Sequence, residues 1–166
     1  AASDVYKRQD VYGLAKLMGG KKPFVNKLQM VFDEGLYDPA NEPDIAYAHL
    51  FSYFKGEEWR TQKETQRLLD KYFTTKPDGI PGNDDTGTMS AWAIFNMIGF
   101  YPDCPGLPEY TLTTPVFNKV TIRLDPKWYK ENELVIESNR TGSETLYINK
   151  VLLDGCLLYT SDAADE

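Results

Sequence analysis

The stretch that most constrains this chain is Pro77-Asp78-Gly79-Ile80-Pro81-Gly82-Asn83-Asp84-Asp85-Thr86-Gly87-Thr88-Met89-Ser90-Ala91-Trp92. Two prolines and three glycines between Pro77 and Gly87 rule out helix or strand interior, so a shaped loop is expected. The apolar run from Met89 to Ile98 follows at once and ends at Gly99, a residue type that closes helices. Met89, Trp92, Ala93, Ile94, Phe95, Met97 and Ile98 fall on nearly every side of that helix, which predicts burial all round. The loop thus delivers Asn83, Asp84 and Asp85 to the mouth of a buried helix. Adjacent carboxylates in a rigid, partly dry place are unfavourable unless a metal ion, a shared proton or an activated water uses them. The plainer use is structural: Asp84 or Asp85 caps the helix by accepting backbone N–H bonds.

A chain of 166 residues is long enough for one domain with its own core. Its hydrophobic content of 42% and charged content of 26% are ordinary for a globular protein. The net charge of -7 argues against nucleic acid and against an anionic membrane surface, and suits a cation or a neutral sugar. No run reaches the length of a transmembrane helix, and no signal peptide opens the chain. Cys104 and Cys156 make no disulfide framework. Residues 4–9 and 156–161 resemble translated adapter sequence from shotgun libraries. Residues 1–9 and 156–166 are therefore set aside from fold reasoning, and the remainder is expected to be a fragment of a longer protein.

Helical spacing places Leu14, Leu17 and Met18 on one face of a first helix that stops at Gly19-Gly20. Pro23 opens a second, with Phe24, Leu28, Val31 and Phe32 inward up to Gly35. Asn41-Glu42-Pro43-Asp44 opens a third that carries Ile45, Ala48, His49 and Phe51 and ends near Gly56. A more polar fourth, about residues 57–73, turns Trp59, Leu69, Tyr72 and Phe73 inward. The helix after the acidic loop is the fifth. Beyond Pro102 the pattern changes: Val120, Ile122 and Leu124 alternate with Lys119, Thr121 and Arg123, and residues 133–138 and 145–153 read as further strands.

The acidic loop and its helix resemble the C-terminal signature of glycoside hydrolase family 92, the calcium-dependent exo-acting α-mannosidases. That family carries Gly-[Asn/Asp]-[Asp/Glu]-Asp-x-Gly-x-Met-Ser-x-Trp and then Gly-Phe-Tyr-Pro. Here the strings are Gly82-Asn83-Asp84-Asp85-Thr86-Gly87-Thr88-Met89-Ser90-Ala91-Trp92 and Gly99-Phe100-Tyr101-Pro102. The resemblance implies that Asp85 is the general base on the attacking water and that Asn83 orients that water. It implies inversion, with acid and base carboxyls about 6.5–9.5 Å apart. Asp84 stands where the family has Asp or Glu; contact with the ion and capping of the helix both remain open for it. Asn41-Glu42-Pro43 matches the family's [His/Asn]-Glu-Pro element beside the sugar and the calcium. Asn41 and Glu42 are thus expected at the substrate, and Glu42, Asp84 and Asp85 at the metal. Calcium takes six to eight oxygen ligands, which leaves room for carbonyls, waters and sugar hydroxyls. The competing role for Glu42 is a first-turn carboxylate favoured by the helix dipole, worth about 0.3–1 kcal/mol.

Family members commonly carry a His where this chain has Ala46, and His49, the single histidine, is read as structural. Trp59, Trp92 and Tyr101 could stack a sugar, although aromatics at helical spacing more often form core. Asn139-Arg140-Thr141 fits a glycosylation sequon. Zinc spacings, phosphate loops, nucleophile elbows and EF-hand spacing are not found. The family's general acid lies just upstream of a string that here reads Asp10-Val11-Tyr12-Gly13-Leu14, so the acid is expected to be missing from this fragment.

The expected fold is α+β: residues 10–104 form part of an (α/α)6 barrel with about five helices, and residues 105–155 form antiparallel strands. By resemblance the parent removes terminal α-linked mannose from glycans, N-glycans among them, in a periplasmic or extracellular setting. Calcium is its cofactor and mannose-containing glycans its partners, with no nucleic acid and no membrane. The alternative is a non-catalytic carbohydrate- or calcium-binding module built on the same helices.

Overall fold

A computed structural model describes residues 10–104, 106–142 and 145–160; the adapter reading of residues 1–9 and 161–166 lies outside them. The helical part holds five helices among the described residues. Helix α1 is Val11–Leu17, with Asp10 accepting from the Gly13 N–H at 2.7 Å. Helix α2 is Lys21–Asp33, which places Pro23 in the first turn, where a missing N–H is harmless. Then comes a 3₁₀ helix, Glu42–Tyr53, followed by α3, Glu58–Tyr72, and α4, Thr88–Ile98.

The 3₁₀ segment is the centre of the packing and touches α1, α3 and α4. An α-helix was expected there. Three residues per turn instead line up Ile45, Ala48 and Phe51 in one row and Ala46 and His49 in the next, and all five are buried. The surrounding helices bring Val11, Phe24, Phe32, Leu68, Met89 and Trp92 onto these rows, giving one continuous core.

Three inward assignments change. In α1 the buried pair is Val11 and Ala15, one turn apart, while Leu17 is 87% exposed. In α3 Leu68 and Leu69 are buried, whereas Trp59 lies at the rim, edge-on to Tyr147 and beneath the Arg60 guanidinium. Helix α4 is not buried all round. Met89, Trp92, Ala93 and Asn96 are buried, but Ala91 is exposed and Ile94 is 55% exposed. The 3₁₀ helix, α3 and the strand after α4 pack against its other sides, and among the described residues that side stays open.

Among the described residues the strands form three separate antiparallel pairs. They are β1 (Phe100–Tyr101) with β2 (Thr111–Leu112), β3 (Lys119–Arg123) with β4 (Glu133–Glu137), and β5 (Lys150–Leu153) with β6 (Cys156–Thr160). Of the expected strand over 145–153 only the second half is extended and paired. The β5–β6 turn is Asp154-Gly155, both with left-handed φ, the geometry a tight hairpin requires. Leu157 and Leu158 of β6 are 60% and 58% exposed, so the strand forms without entering the core. The β region is tied back by Thr113 Oγ1 to the Asn96 carbonyl, Val116 N–H to the Met97 carbonyl, and Ile148 N–H to Gln62 Oε1. Among the described residues no helix is long and apolar enough to cross a membrane.

The buried Trp92 Nε1–H donates to the Ile45 carbonyl at 2.9 Å. Trp92→Phe keeps a ring stacked on Phe73 and removes that bond, so it should lower the unfolding free energy by about 1 kcal/mol in urea denaturation.

Candidate functional site

Two hydrogen bonds set the geometry of the candidate site. Trp92 Nε1–H donates to the Ile45 carbonyl, and four residues further on in both elements His49 Nε2 meets Asn96 Oδ1 at 3.0 Å. The sequence offset is 47 in each pair, so the 3₁₀ helix and α4 run side by side in the same direction. Their N-termini therefore share one end of the molecule: Asn41 and Glu42 open one helix there, and the loop through Asn83, Asp84 and Asp85 opens the other. The loops also touch. A Cβ at Gly82 would lie 2.8 Å from Ala40 Cβ and 3.0 Å from its Cα, so only glycine lets the backbones approach this closely.

The acidic loop is exposed rather than partly dry, with Asn83, Asp84 and Asp85 all at the surface. Two parallel helix N-termini account for the tolerated charge, since each carries the positive end of its dipole.

The orphan amides of the first turn of α4 are satisfied one by one. Thr88 N–H donates to the Asp85 carbonyl, Met89 N–H to the Asp84 carbonyl, and Ala91 N–H to the Gly87 carbonyl. Ser90 N–H donates to Asp84 Oδ1 at 2.8 Å. Thr88 Oγ1 adds a second bond to the Asp85 carbonyl. Asp84 is thus the side-chain cap, whereas Asp85 contributes its main chain and its carboxylate takes no part. Asp85, Thr86 and Gly87 have φ of 44°, 62° and 90°, three left-handed residues in succession. For Asp and especially β-branched Thr such a conformation is strained.

On the other loop, Asn41 Nδ2 donates to Asp44 Oδ1 at 3.2 Å and Asp38 N–H donates to Asp44 Oδ2 at 3.3 Å. Asp44 is 8% exposed. Burial, reinforced by the Asp44 carboxylate, pushes the neighbouring Tyr37 phenol well above its ordinary range, so it stays protonated. The sequence reading placed Asp44 in the first turn of this helix but gave it no part in the site; the signal available was an amide and a carboxylate three residues apart at a helix start. Glu42 is exposed at the same turn.

Among the described residues no three His, Cys, Asp or Glu side chains form a group able to hold a metal ion. The set Glu42, Asp84 and Asp85 is therefore not a ready cage, and Asp84 is already committed to the helix. What the chain presents is all oxygen, the donor type a hard cation prefers, in fewer ligands than calcium takes. His49 is fully buried, stacked on Tyr101 at 4.3 Å and bonded to Asn96, a structural position. Trp92 is core.

A recess of about 500 Å³ lies at the far end of the two helices. It is lined by Tyr12, Tyr53, Glu58, Asp103, Glu109 and Tyr110, among others. Twelve residues of 3₁₀ helix separate its ends, on the order of 20 Å at about 2 Å per residue. Burial and a hydrogen bond to Asp103 push the Tyr53 phenol up there. This recess is remote from the acidic loop, and the open end with the two loops is the better candidate site.

Residues 2–163 match the glycosyl hydrolase family 92 catalytic domain. An uncharacterised secreted glycosidase of Arthroderma benhamiae is 30% identical over 146 residues, covering 88% of this chain and 19% of that protein. A family 92 α-mannosidase from Bacteroides thetaiotaomicron superposes with a TM-score of 0.76 at 30% identity, over 86% of this chain and 19% of that one. Its complex with mannoimidazole gives 0.77 at 28% identity, over 86% and 20% of the two chains. A family 92 inverting mannosidase from the same organism gives 0.75 at 29% identity, over 90% and 24%. The chain thus spans about a fifth of the length of these relatives.

The two acidic neighbours should separate in stability measurements. Asp84→Ala removes a cap and should lower the unfolding free energy by about 1 kcal/mol. Asp85→Gly keeps the carbonyl acceptor, relieves a left-handed residue and should raise it by about 1 kcal/mol. Urea denaturation of both variants beside the parent chain checks the pair.

Proposed function

The chain belongs to the glycosyl hydrolase family 92 catalytic domain, and from that membership we propose that it supplies the water-activating side of an α-mannosidase site. The observation that carries the reading is the side-by-side placement of the Asn41-Glu42 and Asn83–Asp85 loops at one open end. Asp85 is the general base: its carboxylate takes a proton from a water whose oxygen attacks the anomeric carbon. Asn83 orients that water. The bond from the anomeric carbon to the leaving oxygen breaks as that oxygen takes a proton from a general acid, which we place outside this chain. Attack opposite the leaving group inverts the anomeric centre. The inverting mannosidase and the relative in complex with mannoimidazole support this choice of stereochemistry and sugar.

Glu42 and Asp85 are the carboxylates we assign to calcium, with carbonyls, waters and sugar hydroxyls completing the shell. When bound, the cation draws sugar hydroxyls together and favours a distorted ring. Asn41 and Glu42 bind the sugar, and the helical segment is one part of an (α/α)6 barrel. The secreted relative supports an extracellular or periplasmic setting and a glycan substrate.

Strain supports the assignment of Asp85. A left-handed Asp followed by a left-handed Thr is maintained although glycine would be easier, the pattern of a side chain held for use.

This chain alone, given an aryl α-mannoside and calcium, should release no mannose above its Asp85→Ala variant. A base without its acid forfeits about 10²–10⁴-fold in rate. In a protein that joins this chain to the remaining segments, Asp85→Ala should lower mannose release by a similar factor. Proton NMR should show the β-anomer as the first product. Turnover by the isolated chain that depends on Asp85 would mean that an acid lies within it.

A further inference from the structure

We propose that Asp44 is a positioning residue that fixes the orientation of the Asn41 carboxamide, so that Asn41 presents its oxygen, an acceptor, at the open end. Asp44 is 8% exposed and stands behind the loop that carries Asn41 and Glu42. One of its oxygens accepts from Asn41 Nδ2 at 3.2 Å and the other from Asp38 N–H at 3.3 Å. The loop closes on itself through Asn41 N–H to the Asp38 carbonyl, Ala40 N–H to Asp38 Oδ1 and Asp44 N–H to the Asn41 carbonyl. Asp44 therefore grips both ends of the segment 38–41 at whose middle Ala40 meets Gly82.

An ionised carboxylate only accepts hydrogen bonds, whereas a carboxamide has a donating and an accepting end. The end of Asn41 that faces Asp44 has to be the NH2 group, and Oδ1 is turned away from it. Asn41 is exposed, so the outward oxygen is added to the carboxylates of Glu42 and Asp85 at the same end of the molecule. A rim of this kind suits a hard cation or the hydroxyl groups of a neutral sugar and disfavours anions. Were position 44 an amide, Asn41 could turn its NH2 outward and place a donor among those acceptors. The consequence for a ligand rests on the mannosidase reading above; the orientation of Asn41 does not.

The test starts with the unsubstituted chain, ¹⁵N-labelled at asparagine. The two Asn41 side-chain protons should be well separated, and one should show slowed exchange with water. Asp44→Asn, checked for its fold by circular dichroism, should collapse that separation and speed exchange, while Asp44→Glu should restore part of both. A terbium titration, with terbium standing in for calcium, should then give about tenfold weaker binding for Asp44→Asn than for the parent. An averaged, fast-exchanging Asn41 amide in the parent chain overturns the proposal, as does an amide unchanged by Asp44→Asn. If the amide behaves as described but terbium does not bind the parent at all, Asp44 still orients Asn41 and the calcium assignment of Glu42 and Asp85 is what fails.

Discussion

Everything at the open end depends on one register. The indole N–H of Trp92 on the Ile45 carbonyl and the imidazole of His49 on the Asn96 amide pin two helices in parallel with a constant sequence offset. Both bonds are buried, so breaking either leaves polar groups with no water to turn to, a penalty of about 1–3 kcal/mol. Slippage by a turn would also drive Phe51 and Met89 out of the shared core. The register therefore does more than stabilise. It decides that Glu42 and Asp85, 43 positions apart in the sequence, open at the same end.

Asp84 and Asp85 show how neighbouring identical side chains are given different tasks. Asp84 closes the first turn of α4 with its carboxylate, and Asp85 closes it with its carbonyl. The main chain of Asp85 closes the helix, which leaves its carboxylate outside the cap. Gly87 and Gly82 make this feasible from either side, one by taking the third left-handed turn and the other by letting Ala40 come close.

The helices were legible because their punctuation is local: Gly19-Gly20, Gly35, Gly56 and Gly99 end them, and Pro23 and Pro43 open two of them. What each helix buries was less legible. Leu17 and Trp59 look like core residues by type, but the described residues leave Leu17 open and hold Trp59 at the rim against Tyr147 and Arg60, and they leave Ile94 on α4 open too. The 3₁₀ winding of Glu42–Tyr53 was hidden because Ile45, Ala48 and Phe51 suit a three-residue repeat as well as a helix face. The β6 strand was missed although Asp154-Gly155 is a strong hairpin signal, because the segment after it was set aside as foreign. At the site, motif matching pointed to the acidic loop, but spacing could not tell which aspartate caps the helix. That answer depends on φ at Asp85 and Thr86, which no pattern of residue types reports.

Helix α4 is anchored unevenly. Its middle and end are fastened by Trp92, by Asn96 and by Thr113 from the next segment, while its first turn is held by exposed groups of the loop itself. Local opening of a helix begins where the bonds are reached by water, so fluctuations enter at Thr88 and die out before Trp92. The acidic loop thus rides on the loosest end of a helix that is fastened further along by buried bonds. Loss of the loop's shape and loss of the fold are then separate events on the temperature axis, the first preceding the second.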